Sequence, residues 1–258
     1  MFTIDIHSHI LPGIDDGAND PDMSLAMLRS EAGQGIRKIV FTPHFHPGKN
    51  NIPDFVSGRA GALDLLKEKI SGTELDGFFD LRTAAEVRYS PALTDIPDLE
   101  KLCIEGTNVL LVEFSFTHYP EFVRDVFYRL QLRGFVLLIA HIERYSWLRK
   151  DTDLLYDLVC GGAYSQVNAE TIAKDRDSLS FIRKMLECGL VHTVGSDTHN
   201  MDQRPPRMKE AAGILSADPG PETAAYLDAA AESLLAGRLP DAETPLRPRK
   251  SFWDRFRK

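Results

Sequence analysis

MFTIDIHSHILPGIDDG (residues 1–17) is the stretch on which the reading of the fold turns. Phe2-Thr3-Ile4-Asp5-Ile6 alternates as a buried strand does and delivers His7 and His9 from its C-terminal end. Side chains two apart on extended backbone share a face, so His-x-His offers one metal ion two imidazoles. The loop behind it wraps Pro12, Gly13 and Gly17 around Asp15 and Asp16, an acidic turn at the same strand end. A lone His-x-His pair also occurs in ordinary strands; it becomes a site only if other strands bring ligands to the same place.

Outward from that strand, strand and helix signals alternate. Asp20-Pro21 is a cap followed by a first-turn proline and predicts a helix with Leu25, Leu28 and Ala32 on one stripe, stopped by Gly33 and Gly35. Residues 36–42 read as a buried strand that ends in Pro43-His44-Phe45-His46, and 50–72 as a loop leading into a helix. A third strand over 78–87 finishes at Glu86, and 90–106, broken by Pro91 and Pro97, reads as loop and short helix. The fourth strand, 108–115, places Glu113 near its end, and Phe122, Val123, Val126, Phe127 and Leu130 follow at helical spacing. Residues 135–140 are almost wholly apolar, as a parallel strand covered on both faces should be, and they end at His141. Helices at 151–160 and 176–188, strands at 164–168 and 190–195, and closing helices at 208–215 and 224–235 complete the pattern. The last strand runs into Ser196-Asp197-Thr198-His199. Seven strands alternating with helices predict a parallel α/β barrel one unit short of eight, whose active site lies at the C-terminal face of the strands.

Bulk properties narrow the class. A chain of 258 residues, 43% hydrophobic, can bury one large core, so a single domain over 1–240 is expected, followed by a basic, aromatic and flexible tail over 241–258. A net charge of -8 argues against a nucleic-acid partner. With no basic-then-apolar leader and no run of about 18 apolar residues, a soluble cytoplasmic protein without a transmembrane segment is expected. Cys103, Cys160 and Cys188 read as reduced, mostly buried thiols. The assembly state stays open, a homo-oligomer included.

Five of the eight histidines, His7, His9, His44, His141 and His199, fall at strand ends with the carboxylates Asp16, Glu86, Glu113 and Asp197 beside them. Burying that much unpaired charge would be costly, so the set reads as a metal site. Nine N and O donors without a thiolate exceed one tetrahedral shell and suit two or three ions of Mn²⁺, Fe or Zn²⁺. A carboxylate-bridged pair acidifies a shared water and clamps both oxygens of an in-line displacement at phosphorus. Arg144 and Arg204 close behind His141 and His199 supply forks for a phosphate dianion, which favours a phosphomonoester substrate. Thiol chemistry is excluded: the residues six after the three cysteines are Val109, Gln166 and Val194, where an arginine would be needed.

The motifs DIHSH, DDGA, TPH, AAEV, LLVEF, AHIERY and GSDTH, spread over roughly 1–207, resemble the PHP superfamily of polymerase and histidinol-phosphatase domains. The chain is most similar to the PHP-type bacterial protein-tyrosine phosphatases encoded with capsule and exopolysaccharide genes. The resemblance implies a distorted seven-stranded (β/α)7 TIM-like barrel with a trinuclear site, often Mn²⁺. It also implies hydrolysis of phosphotyrosine on a cognate, membrane-bound tyrosine kinase that controls exopolysaccharide or capsule synthesis. Carried over by residue, it places His7, His9, Glu86 and Asp197 on one ion, Glu86, Glu113 and His141 on a second, and Asp16, His44 and His199 on a third. Arg144 and Arg204 fall where the family grips phosphate, and His46 is the residue to protonate the leaving group if acid help exists. Two departures stand out, Ile142 where the family has proline and the FSFTHYPEF stretch around His118. The rivals are a small-molecule phosphatase of the histidinol-phosphate type and a non-catalytic metal-binding regulatory module. The tail, 247–258, is a candidate for contact with an anionic membrane or an acidic partner.

Overall fold

Ile4 and Ile6 bury one face of β1 (Ile4–Ser8) while Asp5 and His7 are equally buried on the other, so the first strand meets protein on both sides. The computed structural model describes residues 1–242 and 244–248. After β1 come α1 (Pro21–Gln34), β2 (Lys38–Phe41), β3 (His44–Phe45), α2 (Ile52–Ile70), β4 (Asp80–Thr83), β5 (Glu86–Arg88), β6 (Val109–Glu113), α3 (Val123–Leu132), β7 (Val136–Ile139) and α4 (Ser146–Lys150). Then follow α5 (Asp153–Cys160), β8 (Tyr164–Asn168), α6 (Ala169–Lys174), α7 (Arg176–Glu187), β9 (Thr193–Gly195), α8 (Met208–Ala217) and α9 (Pro221–Leu235). Every strand pairing is parallel, in the orders β1-β2-β4 and β3-β5-β6-β7-β8-β9. The result is an α/β fold with parallel sheets. Beyond the sheets, Asp197 N donates to His7 O (2.8 Å) and His9 N to Thr198 O (3.0 Å), which ties the segment after β9 to β1.

The single strands expected at 36–42 and 78–87 do not run through. Each divides in two, giving nine strands in two sheets among the described residues where seven strands were expected. Pro43 separates β2 from β3, since a proline has no N–H to give to a ladder. Beside it, Ala85 N leaves the neighbouring strand for Leu102 O (3.0 Å), which breaks β4 from β5. The breaks turn His44 and Glu86 into paired residues at the start of the second sheet, Cα partners across β3 and β5.

Local chemistry explains the ends. Asp20 caps α1 by accepting from Met23 N (2.8 Å), Pro21 opens the first turn, and Gly35 closes it at φ 98°, a left-handed value that favours glycine. Alternate strand positions feed two apolar clusters. Ile39, Phe41, Leu110, Val112, Leu137 and Ile139 pack under the helices, whereas Ile4, Ile6, Val40, Leu111 and Leu138 meet one another and α9. The buried face of α1 holds Ser24 and Glu31 besides Leu25, Met27 and Leu28, a more polar face than the expected stripe.

Of the cysteines, Cys103 is buried, Cys188 half-buried and Cys160 exposed at the end of α5, so the expectation of mostly buried thiols holds for one of three. The tail read at 241–258 is described to Pro248. Leu246 N donates to Cys188 O (2.8 Å), and the Arg247 guanidinium joins Asp153 (2.7 Å) and Asp157 (3.3 Å) over the Tyr156 ring. The basic, aromatic run from Arg249 onward lies outside the described residues. Among the described residues no helix is long and apolar enough to cross a membrane.

Candidate metal centre

Parallel strands end together, so residues just past them meet. His7 and His9 leave β1 side by side, with their Nε2 atoms 3.2 Å apart. Two glycines make room for them. A Cβ on Gly17 would overlap the His9 carbonyl, and one on Gly195 would lie 2.6 Å from the His7 Cβ. Glu86 at the start of β5, Glu113 at the end of β6, and His141 and Asp197 just past β7 and β9 join them, each at most 4% exposed. His141 and Asp197 adopt positive φ (27° and 49°), unusual for residues with side chains and a form of strain that clusters at functional sites.

Glu86 is the hub. Its Oε2 lies 3.3 Å from both His7 Nε2 and His9 Nε2 and 3.0 Å from His44 Nδ1, and its Oε1 lies 2.7 Å from His141 Nε2. Asp197 Oδ1 sits 3.6 Å from His7 and 3.4 Å from His9. Asp16 Oδ1 reaches His44 Nε2 (3.3 Å) and His199 Nε2 (3.5 Å), and Glu113 Oε1 is 3.7 Å from His141 Nε2. Three sets could each hold a cation: His7, His9, Glu86 and Asp197; His9, Asp16, His44 and His199; and His44, Glu86 and Glu113. Eight of the nine expected ligands fall in these sets, and the ninth, His141, joins them through Glu86 (2.7 Å). The grouping differs from the family's in that His9 also faces the Asp16 set and His44 faces Glu86 and Glu113, with His141 bonded to Glu86.

The donor chemistry fits divalent cations. Glu86 Oε2, His44 Nδ1 and His199 Nε2 are buried without a hydrogen-bond partner, although lone-pair atoms surround them. Unpaired donors of that kind converging on shared points are costly unless a cation satisfies them. Burial works against the charged form of Glu86, yet His7, His141 and His44 hold its carboxyl well below the usual range. Burial likewise opposes Asp197, and His7, His9 and Arg204 overcome it. His7 and His9 are pushed up in turn: burial would lower them, but Glu86 lifts His7 and Asp15 lifts His9. His199, buried and beside His9, falls to about 3 and stays a neutral imidazole.

Both arginines reach the same carboxylate oxygen, Asp197 Oδ2, Arg204 Nη2 at 2.6 Å and Arg144 Nη1 at 3.1 Å. Arg204 is set by a tight loop in which Asn200 Oδ1 accepts from the N–H groups of Asp202, Gln203 and Arg204. His46 is less enclosed, its ring 5.8 Å from His44; burial and the neighbouring His44 hold its pKa down. With Ile14, Asp15, Asp16, His44, Asn50, Arg88 and Glu113 it lines an open cavity of about 460 Å³.

Several supporting residues escaped the sequence reading. Asp15 accepts from His9 Nδ1 (2.7 Å) and from His44 N (3.1 Å), fixing the ligand that projects from the turn. Gln166 Oε1 meets His7 Nδ1 (3.1 Å) and takes the His141 N–H (2.8 Å), Asn168 Nδ2 donates to Asp197 Oδ2 (2.6 Å), and Arg88 Nη1 bonds Glu113 Oε2 (2.9 Å). The only available signal was position, since Gln166 and Asn168 lie in the second half of a strand whose end faces the place where the ligands gather.

Comparison with known proteins places this architecture. Tyrosine-protein phosphatase YwqE of Bacillus subtilis is 37% identical over 257 residues, covering 96% of this chain and 98% of its own. Tyrosine-protein phosphatase CpsB of Streptococcus pneumoniae is 32% identical over 87% of this chain and 94% of its own. A solved chain from the crystal structures of those two proteins, described as unique metal-dependent tyrosine phosphatases, superposes with a TM-score of 0.86 at 34% identity, covering 96% of this chain and 100% of the other. The model of the capsular polysaccharide synthesis family CpsB/CapC matches residues 3–233, and the chain belongs to that family.

Proposed function

We propose that this protein is a metal-dependent phosphomonoesterase that hydrolyses phosphotyrosine on protein. The observation that carries the reading is the convergence of eight imidazole and carboxylate residues in three cation-sized sets, with His141 joined to them through Glu86, beside two guanidinium groups on a shared carboxylate oxygen. Relatives of similar length that are named tyrosine phosphatases support it. The proposed substrate is the cluster of C-terminal tyrosines of a cognate bacterial kinase in capsule or exopolysaccharide synthesis, met in the cytoplasm. The proposed metal is Mn²⁺, two to three ions held by the nine ligands. In this reading β2 with β3 and β4 with β5 count as single interrupted strands, so that the bonds between β1 and the segment after β9 close a distorted seven-position barrel.

Bound cations would supply Lewis-acid polarisation of a water and of the phosphoryl oxygens. The chain's own part is to hold and orient. Arg144 and Arg204 take the non-bridging oxygens, and Asp197 keeps both guanidinium groups in place between substrates. A tyrosyl oxygen with pKa about 10 leaves without a strong acid, which matters because His46, the candidate donor, has its pKa held down by burial and His44 and is a poor proton source at neutral pH.

The test pairs metal quantification with hydrolysis of phosphotyrosyl peptide, with and without chelator, and with histidinol phosphate as a competing ester. Chelator-sensitive release from the peptide is expected; preference for histidinol phosphate would move the protein to the small-molecule phosphatases, and fewer than two ions without turnover would make it a regulatory module. Arg204→Ala should keep its metal and lose about 100-fold or more in kcat/KM, the scale of losing a preorganised charge at the transition state. Full activity in that variant would remove the arginine from the mechanism.

A further inference from the structure

Arg144 has one side-chain hydrogen bond among the described residues, from Nη1 to Asp197. A long side chain held at one nitrogen can swivel, and a swivelling fork grips phosphate poorly. What limits it here is aromatic. The guanidinium carbon lies 4.4 Å from the centre of the Phe116 ring, Phe116 stacks on Tyr145 (6.1 Å, 25°), and Tyr145 stacks on Trp147 (5.3 Å, 10°). Four hydrogen bonds lock the two segments together. Phe114 N donates to the Tyr145 hydroxyl (3.0 Å), Ser146 N and Oγ both donate to Phe116 O (3.1 Å each), and Trp147 Nε1 donates to Ser115 O (2.8 Å). The segment that carries Phe116 begins directly after Glu113, so a proposed metal ligand and a proposed phosphate fork are built into one rigid corner.

We propose that Phe116 is a positioning residue: its ring face sets the plane of the Arg144 guanidinium, and through it the grip on the phosphoryl group. The inference rests on the phosphatase reading above, because it takes Arg144 to be a phosphate contact. The column also explains the order of the sequence, in which Arg-Tyr-Ser-Trp must close onto Phe-Ser-Phe for the fork to be aligned. It gives the FSF stretch a purpose beyond packing.

The experiment measures binding of inorganic phosphate to the metal-loaded protein by calorimetry, with metal content and Tm recorded for every variant. Phe116→Leu, which keeps apolar volume and loses the ring face, is expected to weaken phosphate binding about three- to tenfold, the range a cation–π contact accounts for, at unchanged metal content. Phe116→Tyr, which keeps the face, should restore it. In an Arg144→Ala background, Phe116→Leu should have no further effect. Unchanged binding in Phe116→Leu, an equal loss in both backgrounds, or a loss that tracks metal content or Tm would overturn the proposal while leaving the phosphatase reading intact. Arg144→Ala that binds phosphate as the parent does would overturn the proposal together with the role given to Arg144 in the phosphatase reading.

Discussion

Two pairs of buried carboxylates, Glu86 on β5 with Asp197 just past β9 and Asp5 on β1 with Glu31 on α1, are shifted in opposite directions. Glu86 and Asp197 stand among imidazoles and guanidinium groups and are held well below the usual carboxylate range despite burial. Asp5 and Glu31 are just as enclosed, but Asp5 has only hydroxyl and amide donors and Glu31 has none among the described residues, and burial pushes Asp5 up to about 6 and Glu31 well above its ordinary value. Burial alone therefore does not decide ionisation here; the charge of the neighbours does. The first pair is built to meet cations and the second pair to hold a proton. Asp5 links the two, since its Oδ1 accepts from Ser196 N (2.8 Å) and its Oδ2 from Ser196 Oγ (2.6 Å), immediately before Asp197.

The comparison breaks most severely at Glu86→Gln. That change removes the charge that His7, His9, His44 and His141 share while leaving a side chain of the same size. Changes to residues behind metal ligands cost about 10–100-fold, so loss of the hub itself should cost at least about 100-fold in activity together with bound metal. Elemental analysis of the purified variant checks the second half; full metal occupancy would mean that Glu86 serves charge balance rather than coordination.

A smaller effect is expected from Asp5→Asn, which keeps shape and one acceptor but turns a second acceptor into a donor facing Ser196 Oγ. The hydroxyl must rotate, and the Ser196–Asp197 backbone shifts with it. Metal affinity should fall about tenfold or more by the same second-layer logic, with Tm little changed. Titration with Mn²⁺ reads this directly, and affinity within twofold of the parent would show that Asp197 is fixed without Asp5.

Which parts of this arrangement could be read in advance follows from their range along the chain. His7 and His9 are legible because their relation is local, two residues on extended backbone, and the apolar run ending at His141 betrays a covered parallel strand. The break at Pro43 was visible in principle, since a missing N–H is a property of one residue. That at Ala84-Ala85 was not, because it depends on where Leu102 O lies. Asp15 and Asp16 are adjacent carboxylates with no local distinction, and only the folded turn aims Asp15 at His9 and leaves Asp16 at the mouth with its side chain 69% exposed. Gln166 and Asn168 are polar residues in the second half of a strand, and the bonds that matter reach 29 positions from Asn168 to Asp197 and 159 from Gln166 to His7. Glu31 carried a warning, a carboxylate three residues past Leu28 on a buried helical face, which the apolar stripe obscured.

Glu31→Gln gives the smallest effect and the sharpest discrimination between the two pairs. Both Glu31 oxygens are buried without a donor from the described residues, and the residue faces Asp5, so ionising both carboxyls is doubly unfavourable. A carboxyl whose folded pKa is raised contributes its stability below the unfolded value of 4.5 and loses it as pH rises through the folded value. Asp5 adds to the same trend between 3.8 and about 6. The amide does not titrate and leaves Asp5 without a like-charged neighbour. Metal-free Glu31→Gln should therefore gain on the parent as pH is raised from 5 to 8, by about 2–4 °C in Tm if the change is on the order of 1 kcal/mol for a chain of this size. Thermal unfolding at the two pH values decides: an equal loss at both would mean that Glu31 stabilises the fold as an ionised group, and the contrast with Glu86 and Asp197 would vanish.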